Sequence, residues 1–402
     1  MKKALLQKVK RGEISFHEID KTLDPNASIE LRRTAVSELT GTSFNHISNY
    51  SLDVENVTKR NIENMIGAIQ VPLGVAGPLR IKGEYAIGDY YIPLATTEGA
   101  LVASAHRGCS AITFSGGANV RIFKDEMTRA PVFRTKNIIG AKKLADWVDA
   151  NFLMLKQKAE STTRFGELLS INAFTTGRTV YLRFSYNTKD AMGMNMVTIA
   201  TDAAVDLILS RNDVELVALS GNMCSDKKPA AINTILGRGK TVSADVFMVK
   251  ETISEILKTT PEKMAEVSYS KNLLGSARAG SLGFNAHAAN IAAAMFIACG
   301  QDAAHVVEAS NAITTMELTD EGLYCSVTLP SLNVGTVGGG TRISTQQECL
   351  NMMGVAGAGD PPGTNAKKLA EIIAAAVLAG EISLIGALAA RHLARAHAAL
   401  GR

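Results

Sequence analysis

The chain has 402 residues, of which 46% are hydrophobic and 20% charged, as in soluble globular proteins. This length predicts two or three domains that can bury a core without disulfides or metal ions. The net charge of +4 is spread along the chain without a long Lys/Arg run, so we expect no nucleic-acid partner. The five cysteines lack CxxC spacing, and we find neither a secretory signal nor an apolar run of about 20 residues. We therefore expect reduced thiols, a cytoplasmic protein and no membrane partner.

The N-terminal segment, residues 1–50, is charged and helical in pattern. Within it, the pair Asp24-Pro25 predicts an N-cap followed by the first residue of a helix, because proline is tolerated where no N–H partner is needed.

The rest of the chain predicts an α+β fold in which a large domain is interrupted by a smaller one. Residues 118–219 alternate short strands with helices, which is typical of a small α+β unit. The predicted strands are 119–123, 131–135, 168–172 and 179–186, and the predicted helices are 138–159 and 191–211. The flanking ranges 51–117 and 220–380 are rich in Gly and Ala and are expected to form the large domain. A mobile terminal helix is predicted over 381–402, after Gly380.

The loop at 220–233, SGNMCSDKKPAAIN, follows the apolar segment 215–219, which predicts a strand running into a tight loop. Pro229 fixes its own φ and biases Lys228 away from helix, so the charged cluster lies on irregular backbone. A solvated turn and a ligand-facing loop are equally compatible with the charges. The small and polar residues around them favour the ligand-facing loop.

Four ionisable residues lie in unusual surroundings. Glu98, at the predicted start of a helix, is either a partner of the helix dipole or a general acid. Asp302 follows an Ala-rich helix and is either a helix cap or a partnered catalytic carboxylate. His397 in the terminal helix fits a solvated histidine, and His287 fits a hydrogen-bonded core histidine. No histidine pair has zinc-like spacing with a third ligand, so no metal site is predicted.

Two common nucleotide-binding fingerprints are missing. The run GVAGAG at 354–359 has its glycines in the wrong order for a Rossmann fold and no preceding strand. The run GRGKT at 237–241 resembles the end of a P-loop, but Thr234 stands where the first glycine is required.

Six sequence blocks together resemble the hydroxymethylglutaryl-coenzyme A reductase family, in the family's order. They are ENMIGAIQVPLGVAGPL (63–79), ATTEGALVAS (95–104), DAMGMNM (190–196), SGNMCSDKKPAAIN (220–233), GQDAA (300–304) and VGTVGGGT (334–341). The blocks are most similar to the form shared by the archaeal and eukaryotic members. The resemblance implies a free-standing catalytic unit without the membrane anchor of the eukaryotic members. The resemblance implies that NADPH reduces hydroxymethylglutaryl-CoA to mevalonate and CoA by two hydride transfers, in isoprenoid precursor synthesis. It also implies a ferredoxin-like cofactor domain and a homodimer or dimer of dimers, with ENMIG at the interface and active sites built from both subunits.

The resemblance assigns four catalytic roles. Lys227 would be the cation that stabilises negative charge on the carbonyl oxygen, a charge that each hydride transfer creates. Glu98 would be the acid that protonates the alkoxide, and Asp302 would hydrogen-bond to both. His397 would protonate the departing coenzyme A thiolate.

The same resemblance implies two sets of binding residues. Those expected to contact the hydroxymethylglutaryl group are Arg129, Ser220, Lys228, Lys271 and Asn290. Those expected to contact NADPH are Thr163, Arg164, Asp190, Met192, Gly193, Met194 and Asn195. Arg164 would face the 2′-phosphate; Thr163 stands where the family usually has serine and keeps the hydroxyl.

Two alternatives belong to other functional classes. A coenzyme A-dependent lyase or transferase would share the thioester pocket without a redox step, and DAMGMNM argues against it. A non-catalytic acyl-CoA binding module is opposed by the intact Lys, Glu and Asp set.

Overall fold

The computed structural model describes residues 2–390, so His397 and most of the predicted terminal helix lie outside the described part. The strands are β1 Leu73–Lys82, β2 Ile87–Ala95, β3 Ala118–Arg129, β4 Val132–Arg134, β5 Glu167–Thr176, β6 Thr179–Asn187, β7 Glu215–Ala218, β8 Gly239–Val249, β9 Ile313–Leu318 and β10 Gly322–Leu332. The α-helices are α1 Lys2–Lys10, α2 Pro25–Thr40, α3 Val54–Arg60, α4 Leu101–Phe114, α5 Ile138–Ala150, α6 Phe152–Glu160, α7 Met194–Arg211, α8 Ala231–Leu236, α9 Lys250–Thr252, α10 Pro261–Val267, α11 Ser276–Ala279, α12 Ala288–Ala298, α13 Val306–Ala309, α14 Ser344–Met352 and α15 Thr364–Ala389. Two π-helical turns, Ile253–Leu257 and Ser268–Gly275, and three 3₁₀ turns, His17–Lys21, Ala303–His305 and Gly339–Arg342, complete the helical elements.

The strands form one continuous sheet in the order β7-β4-β6-β3-β8-β10-β9, with β5 beside β6 and β2 beside β1. Pairings are antiparallel except that of β1 with β3, which is parallel. Strand β3 is shared between two regions, because residues 119–126 pair with β8 and residues 127–129 pair with β6. The combination of helices and antiparallel strands confirms the predicted α+β class.

The larger hydrophobic core surrounds α15, which contacts α4, α12 and β8. This helix is long and apolar enough to cross a membrane, with a mean hydropathy of 2.2, but 83% of its most apolar window is buried inside the protein. The Ala-rich run at 372–379 is therefore the middle of one long core helix.

The predicted break after Gly380 is wrong, because Gly380 lies inside α15. A β-carbon at this position would come within 2.6 Å of Ile291 on α12. The glycine therefore permits close contact between two helices inside a continuous α15.

A second, separate hydrophobic core is formed between the strands β4, β5, β6 and β7 and the helices α5, α6 and α7. The strands predicted at 119–123, 131–135, 168–172 and 179–186 are all present. The second predicted helix begins later than expected, at Met194, because Gly193 has a φ of 95°.

The N-terminal prediction is confirmed. Pro25 begins α2, and the Asp24 carboxylate accepts a hydrogen bond of 3.0 Å from the Ala27 N–H.

The five cysteines are buried and free of disulfides, as their spacing predicted. They are Cys109, Cys224, Cys299, Cys325 and Cys349.

Candidate active site

The loop between β7 and α8 carries Lys227 on a tightly turned backbone. Three of its non-glycine residues, Asn222, Ser225 and Lys227, have φ values of 62°, 49° and 58°. Side chains rarely adopt this left-handed conformation unless surrounding contacts hold it. The irregular backbone predicted for the charged cluster is therefore present.

Lys227 forms an ion pair with Asp302, with 2.7 Å between Nζ and Oδ2. Asp302 also caps the 3₁₀ turn that follows it, since its Oδ1 accepts a hydrogen bond of 3.1 Å from the Ala304 N–H. Both readings of Asp302, as cap and as partnered carboxylate, therefore apply. The side chains are 44% and 34% exposed, so the pair can meet a ligand from solution.

The two partners keep each other charged. The hydrogen bond to Asp302 raises the pKa of Lys227, although partial burial opposes it. Burial also opposes ionisation of Asp302, but hydrogen bonds from Lys227 and the Ala304 N–H outweigh it and lower the Asp302 pKa. A cation beside an anion is thus present at neutral pH.

Behind this pair lies a buried charged group that the sequence did not single out. Arg238 is completely buried and donates to the Asp226 carboxylate at 2.9 Å and to Glu308 at 3.0 Å. The ring of His305 lies 3.4 Å from Glu308. Ligand atoms of Asp226, His305 and Glu308 lie within 4.8 Å of one another, as metal ligands do, but the guanidinium already supplies a cation between the two carboxylates.

A cleft of about 780 Å³ opens next to Lys227, within the usual size range of ligand pockets. It brings together many of the residues that the sequence indicated, from both of its predicted domains. The predicted site residues that line it are Arg129, Met192, Gly193, Met194, Asn195, Lys227 and Asp302. The opposite wall is the glycine-rich stretch 338–340, with Asn61 and Gln346 nearby.

One wall of the cleft is the N-terminus of α7. The left-handed Gly193 precedes this helix of 18 residues and, having no side chain, leaves its first N–H groups without a cap from the N-cap residue. Such a terminus favours anionic groups, especially phosphates. A β-carbon on Gly335 would overlap the backbone nitrogen of Met192, so this glycine lets the two walls meet.

Asp190 stands apart from the cleft lining. Its buried carboxylate accepts hydrogen bonds from the N–H groups of Gly359 at 3.0 Å, Gly363 at 2.6 Å and Ala366 at 3.0 Å. These donors surround the start of α15. The structure thus gives Asp190 a helix-capping contact, and its expected contact with the cofactor stays a prediction.

Glu98 is also outside the cleft within a single chain. It is exposed three residues before α4 begins, and its Oε1 accepts a hydrogen bond of 3.4 Å from the Asn290 side chain. Asn290 lies near the start of α12, whereas Ile297 at the other end of α12 lines the cleft. Seven residues of helix separate the two positions by about 10 Å.

Two of the predicted substrate contacts, Ser220 and Lys228, lie on the loop between β7 and α8, and a third, Lys271, lies on a separate turn. The Ser220 hydroxyl contacts the Cys224 sulfur at 3.3 Å, and Lys228 donates to the Asp226 carbonyl at 2.9 Å. Lys271 is exposed on the π-helical turn Ser268–Gly275.

The segment that contains Arg164 lies beside the first turn of α7. The Thr163 hydroxyl contacts the Met196 sulfur at 3.0 Å, and the neighbouring Arg164 is exposed. The guanidinium is therefore accessible close to the helix terminus that borders the cleft.

Comparison with known proteins gives consistent results. A family model described as hydroxymethylglutaryl-coenzyme A reductase matches residues 28–402. The 3-hydroxy-3-methylglutaryl-coenzyme A reductases of Pyrococcus abyssi and Methanocaldococcus jannaschii are 56% and 54% identical to the chain; the alignments cover 99% of the chain in both cases and 99% and 98% of these relatives. The class II reductase of Streptococcus pneumoniae, solved with NADPH in open conformations, has a similar fold, with a TM-score of 0.67 at 19% identity over 93% of this chain and 100% of that one.

Proposed function

The chain belongs to the hydroxymethylglutaryl-coenzyme A reductase family, and we propose that the cleft beside Lys227 is where it reduces hydroxymethylglutaryl-CoA to mevalonate and CoA with NADPH. The observation that carries this proposal is the Lys227–Asp302 pair at 2.7 Å in the wall of a cleft bordered by the α7 terminus. An oxyanion site and a phosphate-binding helix terminus in one cleft are what this reaction requires.

Lys227 acts on the charge that develops on the substrate. NADPH, when bound, supplies the hydrides that reduce the thioester and then the aldehyde. Each addition leaves negative charge on the former carbonyl oxygen, and the Lys227 ammonium stabilises that charge. Asp302 holds the ammonium in place and keeps it protonated.

Proton transfer falls to two other residues. Glu98 protonates the alkoxide, and His397 protonates the coenzyme A thiolate as it leaves. Protonation prevents the thiolate from adding back to the aldehyde. His397 lies outside the described residues, so its role rests on family membership.

The position of Glu98 supports a dimeric active site. Its contact with Asn290 holds it at the far end of α12 from the cleft, so a second subunit would bring an equivalent glutamate to Lys227. Directly after the ENMIG segment, Ile69 and Leu73 are 81% and 57% exposed, as expected of apolar residues at an interface. These two observations support the proposed homodimer or dimer of dimers.

The domain arrangement that we propose places the substrate in the large unit of 51–117 and 220–380 and NADPH on the small unit of 118–219. The N-terminal segment 1–50 and the terminal segment 381–402 flank them. The antiparallel order β7-β4-β6-β5 with helices on one side supports a ferredoxin-like small unit. The archaeal relatives support a cytoplasmic location.

The binding residues divide between the two ligands. Arg129 in the cleft wall, with the exposed Lys228 and Lys271, provides cations for the free carboxylate of the hydroxymethylglutaryl group, while Ser220 and Asn290 offer polar contacts. The stretch Met192–Asn195, with Thr163 and Arg164, faces NADPH. Asp190 supports that stretch by fixing its start to α15.

Stoichiometry tests the reaction itself. We expect the purified protein to oxidise two NADPH for each hydroxymethylglutaryl-CoA consumed, with one free thiol released, because both reduction steps occur before mevalonate leaves. Nicotinamide absorbance and a thiol reagent measure the two quantities. Consumption of hydroxymethylglutaryl-CoA without NADPH oxidation would instead identify a coenzyme A-dependent lyase or transferase.

Cofactor preference tests Arg164. Arg164→Ala should raise KM for NADPH by about tenfold or more, since a charge-assisted hydrogen bond to the 2′-phosphate contributes about 1.5–3 kcal/mol. The value for NADH should change little, because NADH lacks that phosphate. Equal losses with both cofactors would show that Arg164 stabilises the loop beside Met196 instead.

A further inference from the structure

The backbone of Lys227 is held by a residue that the reaction itself does not use. Oε1 of Glu308 accepts a hydrogen bond of 2.7 Å from the Lys227 N–H. Glu308 lies on α13 and is completely buried, so its carboxylate is fixed by its surroundings. Because Lys227 has a φ of 58°, its loop needs such a contact to stay in the left-handed conformation.

Arg238 holds the Glu308 carboxylate in place. The same Glu308 oxygen accepts a hydrogen bond of 3.0 Å from Arg238, whose second nitrogen donates to the Asp226 carboxylate at 2.9 Å. Asp226 precedes Lys227 directly, so consecutive residues of the loop are tied to one buried guanidinium and one buried carboxylate. Arg238 also lies 2.8 Å from the Met194 sulfur, which connects the loop to the first turn of α7.

The ammonium and the backbone N–H of Lys227 are thus both bound by one short segment, residues 302–308. Asp302 binds its ammonium, and Glu308, six residues later, binds its backbone N–H. Between them, the turn Ala303–His305 and α13 keep the two carboxylates at a fixed separation. The position of the ammonium relative to the cleft therefore depends on both contacts.

From this geometry we infer that Glu308 is a positioning residue for the reductase reaction, which acts by fixing the backbone of Lys227 and so the place of its ammonium. The inference rests on the proposed role of Lys227. Glu308 touches neither ligand: the residues that line the cleft include Lys227, Asp302 and Asp226 but not Glu308.

Two isosteric substitutions separate the hydrogen bond from packing. Glu308→Gln keeps an oxygen that can accept from Lys227, whereas Glu308→Met fills the same space without an acceptor. We expect Glu308→Met to lower kcat by about 10²-fold with KM for NADPH nearly unchanged, since a displacement of about 1 Å can cost that much. Glu308→Gln should keep kcat within about tenfold of the parent, because the acceptor remains.

A double-mutant cycle shows whether Glu308 acts through Lys227. In a Lys227→Ala background, Glu308→Met should cause no further loss of kcat, because there is no ammonium left to position. The matched control is Glu371→Gln, another fully buried glutamate that accepts backbone hydrogen bonds, here from residues 84–86, away from the cleft. This control should lose thermal stability but keep kcat.

Three results would overturn the inference. They are an equal loss with Glu308→Gln and Glu308→Met, a further loss in the Lys227→Ala background, or an equal loss in the Glu371→Gln control. If Glu308→Met does not fold, Glu308→Ala removes the same acceptor and gives the same comparison. Normal turnover of Lys227→Ala alone would instead contradict the proposed function, so the two failures are distinguishable.

Discussion

Lys227→Ala should lower turnover of hydroxymethylglutaryl-CoA by about 10²-fold or more, while substrate binding is largely kept. The reason is that the ammonium meets a full negative charge only after hydride has been added. In the resting enzyme that ammonium is paired with Asp302 at 2.7 Å. Removing the ammonium should therefore change the free energy of substrate binding little. Steady-state kinetics with a separate binding measurement distinguish kcat from substrate affinity.

The neighbouring lysine is the natural control for this experiment. Lys228 is exposed, and its ammonium donates a hydrogen bond of 2.9 Å to the Asp226 carbonyl. Lys228→Ala should therefore change KM more than kcat. Near-normal turnover of Lys227→Ala would refute the assignment of the oxyanion cation.

His397→Gln should slow reduction of hydroxymethylglutaryl-CoA by about 10²–10⁴-fold, the effect of losing a general acid. Only the first reduction expels a thiolate, so only that step requires this proton donor. Reduction of free mevaldehyde, which has no thiolate to expel, should be much less affected. Rates measured with each substrate and the same enzyme preparation test this directly.

Glu98→Gln should give a different pattern, in which both reductions are slow. Its carboxyl is proposed to protonate the alkoxide, so its loss should impair mevaldehyde reduction as well. A His397→Gln enzyme that reduces both substrates equally poorly would place the histidine in ligand positioning or folding, and its role as a proton donor would be wrong.

Several features of this protein could be predicted from local sequence alone. The Asp24-Pro25 cap, the strands of the small unit and the irregular backbone around Lys227 each depend on a few adjacent residues. Local rules are reliable here because the physical cause, a fixed φ or an alternating pattern, lies within the same segment.

Features that depend on distant partners could not be predicted in this way. Glycine often marks the end of a helix, yet Gly380 lies inside one, at a point where Ile291 on another helix leaves no room for a β-carbon. The sequence around Arg238 indicates only an imperfect P-loop, since nothing near it points to a carboxylate 70 residues away in Glu308. Asp190 stands in a cofactor motif, but its partners are the N–H groups at the start of α15.

A hydrogen bond that closes the stretch carrying the second core bears on how such enzymes can be redesigned. The carbonyl of Ala130 accepts a hydrogen bond of 2.7 Å from the N–H of Gly221, so the two ends of the stretch 131–220, which carries β4 to β7 and α5 to α7, meet at a single point. A chimera that exchanges this stretch for that of a relative with a different dinucleotide preference has one junction to preserve. Since Lys227 follows Gly221 by only six residues, the fit of that junction would decide whether the hybrid retains turnover.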